Sequence, residues 1–167
     1  MTAYTNMDAS DVYALTSAQA ESAYGYQQRW DGENMSANRS SFMVEHKFLA
    51  TLDYTTQFIG DNDTRFSLVF VRKAGEPYSV VFDEPGYNSV TGNSRFYADY
   101  SLAYIPTGAS DPNVSFTSAA VATAVMAHVN STGLSGYKGS HVPKNAFNSP
   151  WYSRLDLRIT QDIKVFG

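Results

Sequence analysis

The chain has 167 residues, a formal net charge of −4, an isoelectric point near 5.2 and no cysteine, which excludes a disulfide scaffold, a thiolate metal site and the basic balance of a nucleic-acid binder. Aromatics make up 14% of it, with 12 Tyr and 10 Phe, yet mean hydropathy is −0.31, so the protein is rich in amphipathic rings without being hydrophobic overall. No run of roughly 18 apolar residues is present to cross a bilayer as a helix, whereas a β-barrel stays open because only alternate residues of its strands touch lipid.

Residues 1–41 are polar, rich in Ser, Ala, Asn and Asp, and lack a sustained period, so they read as a long surface loop. Within them residues 14–26 are predicted as a short helix started by Asp11 or Thr16. The first residues carry no basic region followed by an apolar core, so no secretory signal is visible. Residues 41–58 form the first clear strand, with Phe48, Ala50, Leu52, Tyr54 and Phe58 on one face and Thr51, Asp53, Thr55 and Gln57 on the other. The Gly, Asp and Asn content of residues 59–64 predicts a tight turn. A second strand over residues 65–74 turns Phe66, Leu68 and Phe70 one way and Ser67, Val69, Val71 and Lys73 the other. Beyond Gly75-Glu76-Pro77, where proline withholds a ladder donor, residues 78–82 continue it past a bulge. Residues 42–82 are thus an antiparallel β-hairpin.

From residue 83 to residue 149 the period-two order disappears and most of the Gly and Pro collect, which reads as one long loop. Inside it, residues 116–130 are predicted as a short helix, with Thr117 or Ser118 as cap and Gly133 near its end. Residues 150–167 form a strand that alternates strictly: Trp151, Leu155, Leu157, Ile159 and Ile163 face one way, Tyr152, Arg154, Asp156, Arg158, Thr160 and Asp162 the other. Strands of soluble proteins usually run about five or six residues, whereas one crossing a bilayer in a barrel needs roughly 9–11 with an aromatic at its interface end.

Catalytic patterns are sparse. His46, His128 and His141 are far apart and none has a partner at metal-ligand spacing. No nucleophile elbow, phosphate loop or dinucleotide fingerprint occurs. Asp61-Asn62-Asp63 resembles the start of a calcium loop but lacks the later glutamate, and a turn explains it more simply. The expectation is therefore no catalytic residue, no metal, no cofactor and no enzymatic activity.

Four segments carry a family resemblance: Met43-Val-Glu-His-Lys-Phe-Leu-Ala-Thr-Leu-Asp-Tyr, Arg72-Lys-Ala-Gly-Glu-Pro-Tyr-Ser, Leu102-Ala-Tyr-Ile-Pro-Thr-Gly-Ala-Ser-Asp-Pro, and Gly139-Ser-His-Val-Pro-Lys-Asn-Ala-Phe-Asn-Ser-Pro-Trp-Tyr-Ser-Arg-Leu-Asp-Leu-Arg-Ile. Together they resemble the C-terminal barrel part of TonB-dependent outer-membrane receptors, most closely the Oar-like branch, over residues 41–167. The resemblance implies an all-β, up-and-down antiparallel meander within a transmembrane barrel of about 22 strands, with residues 83–149 as a long extracellular loop carrying the short helix. It also implies a fragment, since the plug and the TonB-contacting motif of such receptors are not in this sequence.

The implied function is binding and import of a scarce substrate (siderophore, peptide or glycan) at the outer membrane of a Gram-negative bacterium, with energy relayed by TonB. The implied partners are outer-membrane lipid, the rest of the barrel and plug, TonB through that plug, and a substrate the sequence does not name; nucleic acid is not among them. On this reading Asp53, Arg154, Asp156 and Arg158 point into the lumen, either toward plug and solute or into salt bridges with one another. Tyr87, Phe96, Tyr97, Tyr100 and Tyr104 either stack on a ligand or pack within the loop. Tyr54, Trp151 and Tyr152 are interface aromatics. The competing expectation is a soluble, secreted β-rich binding module with an aromatic ligand-binding loop, which requires a second sheet to cover the apolar faces.

Overall fold

The alternation of residues 46–73 builds the backbone of the molecule. In the computed structural model, which describes residues 1–12, 17–19, 28–29, 36–82 and 101–163, the strands in chain order are β1 (Thr2–Asn6), β2 (Ser10–Asp11), β3 (Asn38–Arg39), β4 (His46–Ile59), β5 (Asn62–Lys73), β6 (Pro77–Tyr78), β7 (Tyr104–Ile105), β8 (Ser140–His141), β9 (Phe147–Asn148) and β10 (Tyr152–Gln161). One α-helix, α1 (Ala119–Ser131), and a short 3-10 helix, Gly133–Tyr137, stand between β7 and β8. The fold is mostly β, and its sheets are antiparallel. Two compact units form: one of Met1–Ala9, Phe42–Glu76 and Asn148–Gly167, the other of Ser10–Ser41 and Pro77–Phe147.

The first unit is a four-stranded sheet in the order β1-β4-β5-β10. Its hairpin turns at Gly60-Asp61, between the paired residues Ile59 and Asn62, with a bulge between Gln57 and Ile59. Gly60 sits at φ 59° and Asp61 does not share a positive φ, the signature of a two-residue turn with glycine at its first central position, whose twist matches the flanking strands. Beyond that hairpin, β10 extends the ladder over ten residue pairs from Tyr152↔Lys73 to Gln161↔Thr64. On the other side β1 pairs with β4 from Thr2↔Ala50 to Asn6↔His46. This corrects the expectation of a loop over residues 1–41: Thr2-Ala-Tyr-Thr-Asn is too short to show a period, and its partner lies more than forty positions away. The tight turn closes one end of the sheet, and the chain leaves β1 and β5 for its long excursions at the other.

The second unit has its own core, which the expectation of one long loop carrying a short helix over residues 83–149 does not include. Ala103, Ile105, Val129, Leu134 and Val142 are buried together, with Val125, Met126 and Phe147 packed against them. Alternate residues of a short segment, Ala103 and Ile105, face inward and meet one side of α1. The helix starts where the sequence predicts: Ser118, extended at φ −160°, accepts a 3.2 Å bond from the Val121 N–H, capping the first turn. Buried polar groups pin distant segments. Lys144 bonds to Asp11 at 2.7 Å and to the Val12 carbonyl at 3.1 Å. Asn145, left-handed at φ 57° and fully enclosed, donates to the Arg39 carbonyl at 2.7 Å and to Ser41 at 3.0 Å. Apart from residues 17–19, the helix expected over residues 14–26 lies outside the described residues.

Candidate functional site

The sheet of the first unit has two unlike faces, and the register fixes which side chain stands on which. Leu155, Leu157 and Ile159 of β10 lie opposite Phe70, Leu68 and Phe66 of β5, which lie opposite Ala50, Leu52 and Tyr54 of β4. Three rows of three apolar side chains therefore share one face. They are open to solvent: Leu52, Tyr54, Leu155, Leu157 and Ile159 are each 58–63% exposed. Among the described residues no apolar side chain of these four strands is buried. Ordinary sheets bury one face on a second layer. With strands about 4.8 Å apart and about 3.3 Å per residue, the face measures roughly 14 by 27 Å, the size of the largest apolar patch on a soluble monomer, which marks an interaction surface.

Aromatic side chains mark both ends of that face. At the tight-turn end Tyr54 and Phe66 have ring centroids 6.5 Å apart. At the opposite end Tyr4, His46, Phe48 and Trp151 gather: Tyr4 and Phe48 lie 4.7 Å apart, Phe48 and Trp151 6.4 Å, and His46 stacks on Trp151 at 6.0 Å with planes 4° apart. The Arg72 guanidinium rests 5.2 Å from the Trp151 ring centre. From Trp151 to the Tyr54 row is eight residues along β10, about 27 Å. Tyr54 and Trp151 thus stand on the apolar face, one toward each end. Tyr152 does not: it belongs to the other face, with Lys73 Nζ 5.9 Å from its ring centre.

On that other face the register gathers Asp53, Arg154, Asp156 and Arg158. Asp53 and Arg158 both lie opposite Ser67, and Asp156 lies opposite Val69. Arg154 Nε donates to Asp156 Oδ2 at 2.6 Å, and Arg65 pairs with Asp162 at 3.7 Å, so at least one expected pair engages itself. Leu49, Val69 and Val71 share this face, so it is mixed rather than wholly polar.

Tyr87, Phe96, Tyr97 and Tyr100 lie outside the described residues. Tyr104 is held within the second unit: its hydroxyl donates to Asp111 at 3.2 Å and its ring meets His141 edge-on at 5.3 Å. Asp111 accepts from the Thr107 and Asn113 N–H groups at 2.7 and 2.9 Å, which hold its carboxyl below the usual range. This is a satisfied structural cluster. Among the described residues no group of three or more His, Asp or Glu is placed to hold a metal, and no helix is long and apolar enough to cross a membrane, which says nothing of strands.

Sequence reasoning missed the cluster around Arg72. Its members come from three strands and the residue before β10, and the period-two pattern of β5 places Arg72 on the apolar face only once the strand is run to its end. The chain matches no protein-family model, no curated protein and no solved structure.

Proposed function

We propose that the four-stranded sheet is a stretch of the wall of a large outer-membrane β-barrel of the TonB-dependent receptor kind, of the Oar-like branch. The observation that carries this reading is that strands of 14, 12 and 10 residues form an antiparallel meander without a buried apolar side chain among the described residues. In water such a layer has nothing to drive its formation; in a bilayer the lipid is the second layer. The dimensions agree: the distance between the Trp151 and Tyr54 rows matches an outward apolar band about 25 Å tall flanked by aromatics. So does the asymmetry of a two-residue turn at one end and long excursions at the other.

A soluble binding module needs a second apolar layer over the same face. In the wall, Asp53, Arg154, Asp156 and Arg158 line the lumen, where charge meets water, plug and solute. The chain has no catalytic task. With the remaining wall and a plug coupled to TonB, it takes part in binding and importing a scarce substrate, a siderophore, peptide or glycan.

The test uses the full chain with Trp30→Phe, leaving Trp151 as its one tryptophan, in vesicles whose lipids carry bromine at defined depths. Quenching should be strongest with bromine near the headgroups and weaker with bromine at the bilayer centre. A chain that stays in the aqueous phase with its strand signal intact and its emission unquenched overturns the membrane reading. Loss of proton-gradient-dependent uptake in cells lacking the chain tests the import role.

A further inference from the structure

We infer that the groove around Arg72 binds the headgroup of an anionic phosphate-bearing membrane lipid. The inference rests on the membrane reading above and adds a specific occupant to it. The groove is open, about 640 Å³, and its lining is apolar or aromatic (Tyr4, Phe48, Phe70 and Trp151 among it) with Arg72 its one charged member. A guanidinium amid hydrocarbon and rings on a lipid-facing surface is costly unless an anion reaches it. Among the described residues no carboxylate pairs with Arg72. Glu45 faces His46 Nε2 at 3.6 Å.

The rest of the ring is arranged around the same spot. The guanidinium lies over the Trp151 ring, a cation–π contact. Asn6 donates to His46 Nδ1 at 3.1 Å, and Tyr4 Oη lies 2.9 Å from the same nitrogen. The site stands at the aromatic end of the apolar face, and the hydrocarbon of Phe70, Leu155 and Leu157 continues from it along the strands. That order, cation and rings first and aliphatic surface beyond, fits a molecule with an anionic head and acyl tails. Phosphate also matches the fork of donors that arginine presents.

The experiment compares binding of the full Trp30→Phe chain to phosphatidylcholine vesicles and to vesicles doped with phosphatidylglycerol, read by Trp151 emission. The wild-type groove is expected to favour the doped vesicles, and Arg72→Gln to lower that preference about fivefold. Arg65→Gln removes the same charge from the opposite face of the same strand and is expected to keep the preference. Equal preference in Arg72→Gln and the parent, or equal loss in both variants, overturns the lipid site while leaving the membrane reading standing. Inorganic phosphate abolishing the preference where chloride of equal ionic strength does not overturns the lipid assignment in favour of a free-anion site. Absence of any emission change with either vesicle overturns the membrane reading and the site with it.

Discussion

Leu155→Arg separates the lipid-facing reading from every aqueous one. Leu155 lies opposite Phe70, itself opposite Ala50, and is 62% exposed. It stands four residues after Trp151 and four before Ile159, whose row holds Tyr54, about 13 Å from each along the strand. That places it midway down the apolar face. If water covers the face, an arginine at so exposed a position changes stability by about 0.5 kcal/mol at most. If lipid covers it, the midplane of a barrel wall charges about 2–4 kcal/mol for arginine, a roughly 30- to 700-fold change in the folded-to-unfolded ratio. The assay is a urea titration of the protein embedded in phosphatidylcholine vesicles, with Ile159→Arg, in the Tyr54 row, as companion. Near the interface the same substitution costs about 0–1 kcal/mol. A Leu155→Arg midpoint indistinguishable from the parent refutes the lipid-facing assignment. Equal large losses at both positions refute it differently, because a protein layer over the face would not grade the cost by depth.

Three further substitutions test the frame. Gly60→Val forces a β-branched residue into the left-handed region at φ 59° and should cost about 1–2 kcal/mol, read as a lower urea midpoint of the sheet. Gly75→Ala places a methyl carbon 1.9 Å from the Ser149 carbonyl oxygen and 2.7 Å from that of Pro150; backbone cannot yield as a side-chain tip can, so a loss of about 3 kcal/mol or more is expected, seen as lost protease resistance. Lys144→Met leaves the Asp11 carboxylate without its 2.7 Å partner. Since Asp11 keeps a quarter of its side-chain exposure, the cost should be about 2 kcal/mol, below the range for a fully buried pair. Burial pushes the Asp11 carboxyl up, but hydrogen bonds from Lys144 and Ser40 and the ammonium charge bring it below its ordinary value. A carboxyl depressed by folding adds stability above its unfolded value and loses it as pH falls through the folded one. The wild-type second unit should therefore melt earlier in acid, and Lys144→Met should flatten that dependence.

The long strands were legible because two independent patterns agreed. Alternation in residues 46–73 and 152–161 set the faces, and Gly60-Asp61 set the register, so Leu52, Leu68 and Leu157 fall in one row as the period requires. Ser118 was legible as a cap by its chemistry. β1 was not: five residues carry too little period, and its stability comes from β4, a contact no local signal encodes. The core of the second unit was hidden for a related reason. Ala103, Ile105 and Val142 belong to segments too short to look amphipathic alone, and only their convergence on Val129 of α1 makes a hydrophobic centre. Tyr152 stands on the face that the alternation gives it, with Arg154 and Asp156 and away from Trp151, because adjacent residues of a strand face opposite ways.

The two outer strands decide what kind of object this sheet belongs to. Among the described residues β1 and β10 each present one side of their ladder without a partner in the four-strand order. In water an open edge beside an exposed apolar face invites pairing with any other strand, which soluble proteins suppress with short edges, prolines or inward charges. β10 has none of these over its ten residues: its charges, Arg154, Asp156 and Arg158, all lie on the polar face and leave the hydrocarbon row of the other face unguarded. An edge so unprotected is stable only when it is not an edge. Within a bilayer each unpaired N–H or C=O costs several kcal/mol, so closure by further strands is compulsory rather than optional. The proposed barrel reading therefore predicts that β10 has a neighbour in the functional assembly and that the apolar row it carries continues onto that neighbour.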